Sequence, residues 1–443
     1  MMTRLFALVL VLGLAGWSGG CDSSGGSSGG DTDTDADSDS DGDGDTDTDS
    51  DTDSDSDTDT STDTDTDSDS DSDTDDITEN FYKEFPEIIL NRVSRDNELV
   101  MGIVKETSVG VIIPVEELIA DPDDDSYYEY MDDEYEVGEI IGISDDHNIV
   151  IANLNHVDLP IASNPESVVG GIYDRTTETW TVIGIYDESV NIDSCHFYPN
   201  FGDISADGNF LFGRTATVEE PCHYSAFRYD IANDEWLIFG GPEGYVHKVS
   251  GASGDGTVIV GSEQRDPIWG PDDELIWGGS ESPVRWTYNE TTETYDPAWL
   301  GHSSAARDVT FDGVTTALSA APDPMAYEHA HIWTEEDELE LLGTLDDEAA
   351  CRPLGISDDG EYVIGNHVLG LSTFYPFIAR SGAGLQNVKN YLEGKGHEGI
   401  ENFNAYSWMV TDISGDGKIM VGFNSVPLFE NNLPGWVAVT ANP

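Results

Sequence analysis

The sequence predicts an all-β protein: a seven-bladed β-propeller of four-stranded antiparallel blades, preceded by a disordered Asp/Ser/Thr tether. Three observations predict it. A phrase close to ISxDGxxVVG recurs seven times. Most copies are followed by two more short runs rich in β-branched and aromatic residues. The segment before the first copy has almost nothing apolar between residues 22 and 76.

The copies are VSRDNELVMG (93–102), ISDDHNIVIA (143–152), ISADGNFLFG (204–213), ASGDGTVIVG (252–261), VTFDGVTTAL (309–318), ISDDGEYVIG (356–365) and ISGDGKIMVG (413–422). Their shared acids are Asp96, Asp146, Asp207, Asp255, Asp312, Asp359 and Asp416, spaced by 50, 61, 48, 57, 47 and 57 residues. A period near fifty marks a repeat architecture. Asp-Gly between two β-branched runs signals a hairpin, because such a turn needs positive φ at its centre. Gly208, Gly256, Gly313, Gly360 and Gly417 supply it. Asn97 tolerates that region in the first copy, and His147 fits it less well in the second. The seven aspartates read as structural turn residues, favoured there for backbone reasons. They are expected to space around one face, too far apart to converge on one ligand.

A third strand follows most hairpins, as at 171–173, 227–229, 284–286, 331–333, 377–379 and 436–438. A fourth often ends in Gly, as in WTVIG (180–184), WLIFG (236–240), AWLG (298–301) and LELLG (339–343). Four antiparallel strands repeated seven times make a propeller. The last unit stops after its third strand, WVAVT (436–440). The run FYKEFPEIIL (81–90) is expected to complete that blade and close the ring. An open solenoid is the alternative, but it would leave sheet edges bare.

At the N-terminus, Arg4, the apolar run from Leu5 to Ala15 and the small residues before Cys21 form an export signal too short to span a membrane. A Cys closing such a signal resembles the lipobox of bacterial lipoproteins, with Ser18 where that family has an aliphatic residue. The resemblance implies lipidation at Cys21. Ordinary cleavage with secretion is the alternative. Asp22 after the Cys resembles an inner-membrane retention signal of enteric bacteria. The expected organisation is a signal peptide over 1–20, a lipidated Cys21 and acidic linker over 21–76, and a propeller over 77–443. The linker alternates Asp with Ser or Thr, which keeps it unfolded and extended. Within it DSDSDGDGD (37–45) has EF-hand-like spacing, but Thr48 stands where the bidentate Glu belongs.

The charge is −73, from 90 acids against 17 bases. Residues 1–76 hold 24 of the acids and one of the bases, leaving 66 and 16 for the rest. This excludes nucleic acid as a partner, since a phosphate-binding surface needs clustered Lys and Arg. It also argues against attachment to anionic lipid by charge. Residues 77–443 contain no apolar run of 18, so no spanning helix is expected there.

The phrase AHIWTEEDELELLGTL (330–345), with NVKNYLEGKG (387–396), DISGDGKIMVG (412–422) and GWVAV (435–439), resembles bacterial HAF-repeat extracellular proteins. The repeats are also similar to the SPDG-type repeats of TolB-like propellers. The resemblance covers nearly all of 90–440. It implies the architecture and carries no shared catalytic residues.

Candidate binding residues fall in long loops assigned to the face opposite the turns. They are Trp269 and Trp277 in the 264–282 insertion, with His156, His223, His302 and His329; His196, His367, Cys195, Cys222 and Cys351 are assigned to loops as well. Exposed Trp can stack on a sugar or anchor a protein. Local packing of each Trp is the simpler reading. Cys195 and Cys222 lie at nearly equal distances from the Asp207-Gly208 turn and are read as a disulfide. The rival is a zinc site of Cys195, His196, Cys222 and His223, which lacks the usual paired-ligand spacing. Cys351 is left as a buried thiol. Residues 77–443 contain no GxSxG, HExxH or phosphate-cradling Gly loop.

The expectation is therefore a monomeric cell-envelope lipoprotein, at the outer membrane or cell surface, presenting a non-catalytic binding module to a protein or glycan. The alternative is a polysaccharide hydrolase or lyase with carboxylates at the channel mouth. No cofactor or specific metal is expected, beyond loosely bound divalent cations.

Overall fold

A computed structural model describes residues 79–443 apart from 156–167, 185–198, 219–222, 241–243, 266–267, 270–274, 278–280, 302–303, 322–326, 337, 346–349, 370–372, 401–407, 425–433 and 442. The strands form seven four-stranded antiparallel sheets. The first strands of blades one to seven are Ile88–Val93, Glu136–Ile143, Asn200–Ile204, Gly244–Ala252, Ala306–Val309, Ala350–Ile356 and Trp408–Ile413. Each touches the first strand of the next blade, and the seventh touches the first. These strands therefore line the axis of a closed seven-bladed propeller. A two-stranded hairpin, Ile268–Trp269 with Leu275–Trp277, is inserted in blade four.

The ring closes as expected but with less of the N-terminal run. Phe81–Phe85 pairs antiparallel with Gly435–Val439 and becomes the fourth strand of blade seven. Ile88 onward belongs to blade one instead, because a turn at Pro86-Glu87 separates the two strands.

Seven hydrophobic clusters hold the blades together, one between each adjacent pair. The cluster between blades one and two, for example, joins Met101 and Ile112 to Val150 and Tyr173. The fully buried Trp286, Trp408 and Trp436 lie in this layer. At roughly 25 cal/mol per Å² of apolar area, such burial is the dominant favourable contribution to folding. The core is thus an annulus, and the axis is left to polar residues.

Every inner strand carries a β-bulge three residues before its turn Ser or Thr, at Asn91, Ile141, Gly202, Ser250, Arg307, Leu354 and Thr411. The last Gly of the repeat phrase follows from the same geometry. A Cβ on Gly102, Gly213, Gly261, Gly365 or Gly422 would lie 2.0–2.4 Å from a carbonyl oxygen of the inner strand beside it. No side chain fits there.

Among the described residues, two helices decorate the ring. Helix α1 (Val115–Ala120) buries Val115 and Leu118 beside blade one. Helix α2 (Val388–Lys395) follows blade six; Asn387 Oδ1 caps it by accepting from Lys389 N–H, and Gly396 ends it at φ 84°. No helix among the described residues is long and apolar enough to cross a membrane.

Candidate functional site

The seven turns share one hydrogen-bond plan. In blade one the Ser94 hydroxyl donates to Asp96 Oδ1 (2.7 Å) and accepts from Leu99 N–H (2.9 Å), while Asp96 Oδ1 also accepts from Glu98 N–H (3.1 Å). Ser144, Ser205, Ser253, Thr310, Ser357 and Ser414 repeat it with Asp146, Asp207, Asp255, Asp312, Asp359 and Asp416. The turn itself differs from the two-residue hairpin that Asp-Gly suggests. Asn97 N–H donates to Ser94 O, so Arg95 and Asp96 are the central residues and positive φ falls on the next one. That residue is Asn97 (71°) in blade one and His147 (59°) in blade two.

The turns also lie closer together than the sequence suggested. Their second residues are bonded from blade to blade along the backbone. Asp145 N–H donates to Ala206 O (2.8 Å), Ala206 to Gly254 (2.9 Å) and Gly254 to Phe311 (2.9 Å). Asp358 donates to Gly415 (2.7 Å) and Gly415 to Arg95 (3.0 Å). The reason is that these turns end the innermost strands and so crowd the axis. Side chains bridge the two gaps between these arcs. His147 Nε2 reaches Asp96 Oδ2 at 2.8 Å. The Arg95 guanidinium lies over the Phe311 ring, 4.2 Å from its centroid, and pairs with Asp358 at 3.1 Å. A Cβ on Gly254 would meet the Phe311 ring at 2.1 Å, and one on Gly415 would meet Asp358 at 2.3 Å. This mouth of the channel is stoppered.

Below the stopper, the residue two before each turn Ser or Thr alternates. It is Asp203, Asp308 and Asp412 in blades three, five and seven, and Gly142, Gly251 and Gly355 in blades two, four and six. Each Asp clamps the next blade. Asp203 Oδ2 accepts from Ala252 N–H (2.6 Å), Asp308 Oδ2 from Ile356 N–H (3.0 Å) and Asp412 Oδ2 from Val93 N–H (3.0 Å). Asp203 and Asp308 use the other oxygen for their own following N–H. Seven is odd, so blade one breaks the alternation with Arg92, whose Nε donates to Ile141 O (2.7 Å). Burial pushes all three carboxyls up, Asp203 to about 6 and Asp308 to about 8; repulsion from Asp203 and Asp412 adds to the rise at Asp308.

Further along the channel lie cations. Lys248 is the strongest case. It sits on blade four, yet it feels the charges of Arg92, Glu139, Arg214 and Arg307, from blades one, two, three and five. Only the axis is near all of these. Lys248 is exposed to solvent although protein surrounds it, as inside a channel. Burial and the neighbouring cations lower it to about 8.

One cluster has the composition of a metal centre, Asp96, Glu98 and His147. Its imidazole already faces a carboxylate on each side, Asp96 from Nε2 and Glu98 from Nδ1 at 3.6 Å. That arrangement suits a protonated His, and hydrogen bonding to Asp96 raises its pKa.

The residues singled out from sequence fare differently. Cys21, Cys195, Cys222, His156, His196 and His302 lie outside the described residues. The side chains of His223, Trp269 and Trp277 do as well, although their backbones are in strands. His329 begins the third strand of blade five, and His331 Nδ1 lies 2.9 Å from its carbonyl oxygen. His367 is not in a loop but buried in the second strand of blade six. Cys351 is likewise in a strand, the inner one of blade six, as a buried thiol that donates to Thr344 Oγ1. Sequence reasoning missed Arg95, Phe311, Asp358, Lys248, Arg307 and the Asp203, Asp308, Asp412 set. The alternation of DIS or DVT with GIS or GAS was the visible signal for the last.

Fold and axis together define a closed seven-bladed β-propeller whose turn-end mouth is crossed by Arg95, Phe311 and Asp358. No family model matches the chain, and neither does any curated protein. Among solved structures it is similar to the β-propeller domain of the Trilobed protease from Pyrococcus furiosus. The TM-score is 0.50 at 12% identity, over 80% of this chain and 95% of that one. That domain is described as having an open velcro topology; here Phe81–Phe85 closes the ring. TolB from Acinetobacter baumannii aligns with a TM-score of 0.40 at 14% identity, over 68% of this chain and 63% of TolB. This chain thus spans less than two thirds of that TolB's length. At such identities the likeness shows the fold alone.

Proposed function

We propose that this chain is a cell-envelope binding module. Lipid at Cys21 anchors it, the acidic segment 22–76 carries the propeller away from the membrane, and the channel receives part of a protein or glycan. The observation that supports the reading is the gathering of charged side chains along the axis, Lys248 and Arg307 among them, behind the Arg95, Phe311 and Asp358 contacts of the turn-end mouth. A polar axis lined by rigid strands suits holding a ligand group.

The second reading, a polysaccharide hydrolase or lyase, draws on the raised carboxyls of Asp203 and Asp308, since a carboxyl kept protonated near neutrality can act as a general acid. Against it, both oxygens of each already accept backbone N–H groups. The full chain should be incubated with a panel of soluble polysaccharides and envelope proteins. Saturable retention without new reducing ends or unsaturated products supports the module. Product release would overturn it in favour of the enzyme. Mass spectrometry of the N-terminal peptide tests the anchor, with acylated Cys21 as the expected result.

A further inference from the structure

We infer that the channel holds an oxyanion site centred on Lys248 and Arg307, shaped for the carboxylate, sulfate or phosphate group of an entering ligand. The inference deepens the binding-module reading and rests on it.

The distribution of charge is the first argument. The chain has only 16 bases in residues 77–443. Five of them are on inner strands or at their turns: Arg92, Arg95, Lys248, Arg307 and Arg352. A protein this acidic would be expected to spread its few cations as counter-charges over the surface. Clustering them there, beside Asp203, Asp308 and Asp412, holds scarce cations at the axis instead.

The second argument is what these groups lack. Arg95 is used in the stopper, Arg352 pairs with Glu328 at 3.0 Å, and Arg92 donates to carbonyls. Among the described residues, Lys248 and Arg307 have no hydrogen-bond or ion-pair partner. Arg307 Nε is buried and unsatisfied, and so is Ser250 Oγ. A buried donor left unmade is expensive, on the order of 1–3 kcal/mol, so an orphan of this kind points to a missing acceptor.

The third argument is register. Ser250 and Arg307 both occupy the bulge three residues before the turn, on the adjacent inner strands of blades four and five. Bulges re-aim side chains and recur beside binding sites. An orphaned hydroxyl and an orphaned guanidinium nitrogen therefore stand at the same level of the channel, with Lys248 two residues from Ser250. The acids in range do not fill the role. Glu281 and Glu328 act on Arg307 and Glu139 on Lys248 only at a distance. Planar Arg with Lys beside it is the donor set that recognises carboxylate, sulfate and phosphate.

The test is titration of the full chain by calorimetry with inorganic phosphate, sodium sulfate and D-glucuronate, each against chloride at matched ionic strength. Saturable binding of at least one is expected. Arg307→Met and Lys248→Met should each weaken it tenfold or more, while Lys389→Met on helix α2 should not. Which anion binds best identifies the source of the group. No binding beyond chloride, or binding unchanged in both channel variants, would overturn the site. Should Arg307→Met not fold, the wild-type titration with Lys248→Met decides alone. If a neutral glycan or a protein is still retained by the wild type and by Lys248→Met, the oxyanion site falls but the binding module stands. Loss of all retention by the wild type removes both.

Discussion

His147 Nε2 lies 2.8 Å from Asp96 Oδ2, joining the turn of blade two to that of blade one. This contact explains a residue that the repeat otherwise disfavours. At φ 59° a Gly would be relaxed, and backbone strain at a non-Gly residue there costs on the order of 1 kcal/mol. The hydrogen bond to Asp96 raises His147 above its usual value, so its contribution is full below about pH 6.5 and is lost as pH rises through the folded value. At Asp96, burial pulls upward, but hydrogen bonds from His147, Ser94 and Glu98 N–H outweigh it and hold the carboxyl low. His147→Gly is expected to be close to neutral at pH 9 and destabilising by about 0.5–1 kcal/mol at pH 5.5, a partly exposed pair being discounted for screening. Urea unfolding at the two pH values measures it; an equal effect at both would contradict the bridge.

The buried aspartates give the opposite of ordinary acid sensitivity. Asp308 stands at about 8 in the folded chain against 3.8 when unperturbed, so the native state holds its proton more tightly. The stability this contributes is complete below about pH 4 and is lost as pH rises through about 8. Asp203 adds the same sign up to about 6. Asp308→Asn should flatten the loss of stability between pH 5 and 9. It should also cost about 1–3 kcal/mol at pH 5, because one of the N–H groups of Val309 and Ile356 loses its acceptor. Parallel pH dependences in wild type and variant would refute the assignment.

The turn hydroxyls can be tested one at a time. Ser357 is fully buried, donates to Asp359 at 2.6 Å and accepts from Tyr362 N–H at 3.0 Å. Ser357→Ala should destabilise by about 1–3 kcal/mol. Ser357→Thr should be tolerated, since Thr310 makes the same bonds in blade five. Thermal unfolding of the pair separates hydroxyl from size.

Two glycines make a matched contrast. A Cβ on Gly365 would sit 2.1 Å from Arg352 O, while one on Gly394 in helix α2 meets nothing within 4 Å. Gly365→Ala should cost about 1–3 kcal/mol or more through displacement of the inner strand. Gly394→Ala should stabilise by about 0.5–1 kcal/mol. Denaturant midpoints of the two variants should move in opposite directions.

Much of this fold was legible because its repeats are local. Each Asp, its Ser or Thr and the following Gly or Asn interact within a few residues, so ISxDG shows directly as a hairpin. The axis was not legible for the converse reason. Arg95 meets Phe311 and Asp358 only because seven remote turns are gathered by ring closure, and no local pattern ties Arg to those positions. Lys248 and Arg307 were hidden by the bulges, which shift strand alternation by one and so defeat a period-two reading. His367 was misplaced because polarity was taken for a loop signal, whereas it is buried in a strand beside Tyr375.

The seventh blade is assembled from both ends of the domain, with Phe81 opposite Val439 and Phe85 opposite Gly435. That arrangement sets an order on maturation. Six sheets can form from neighbouring segments as the chain lengthens, but the seventh waits for its final strands, when a loop spanning the whole ring must close. Until then the nascent molecule carries an unsealed strand edge at each end of the arc, open to pairing with another copy. Emergence of Gly435–Val439 thus acts as a latch, turning a vulnerable crescent into a sealed wheel.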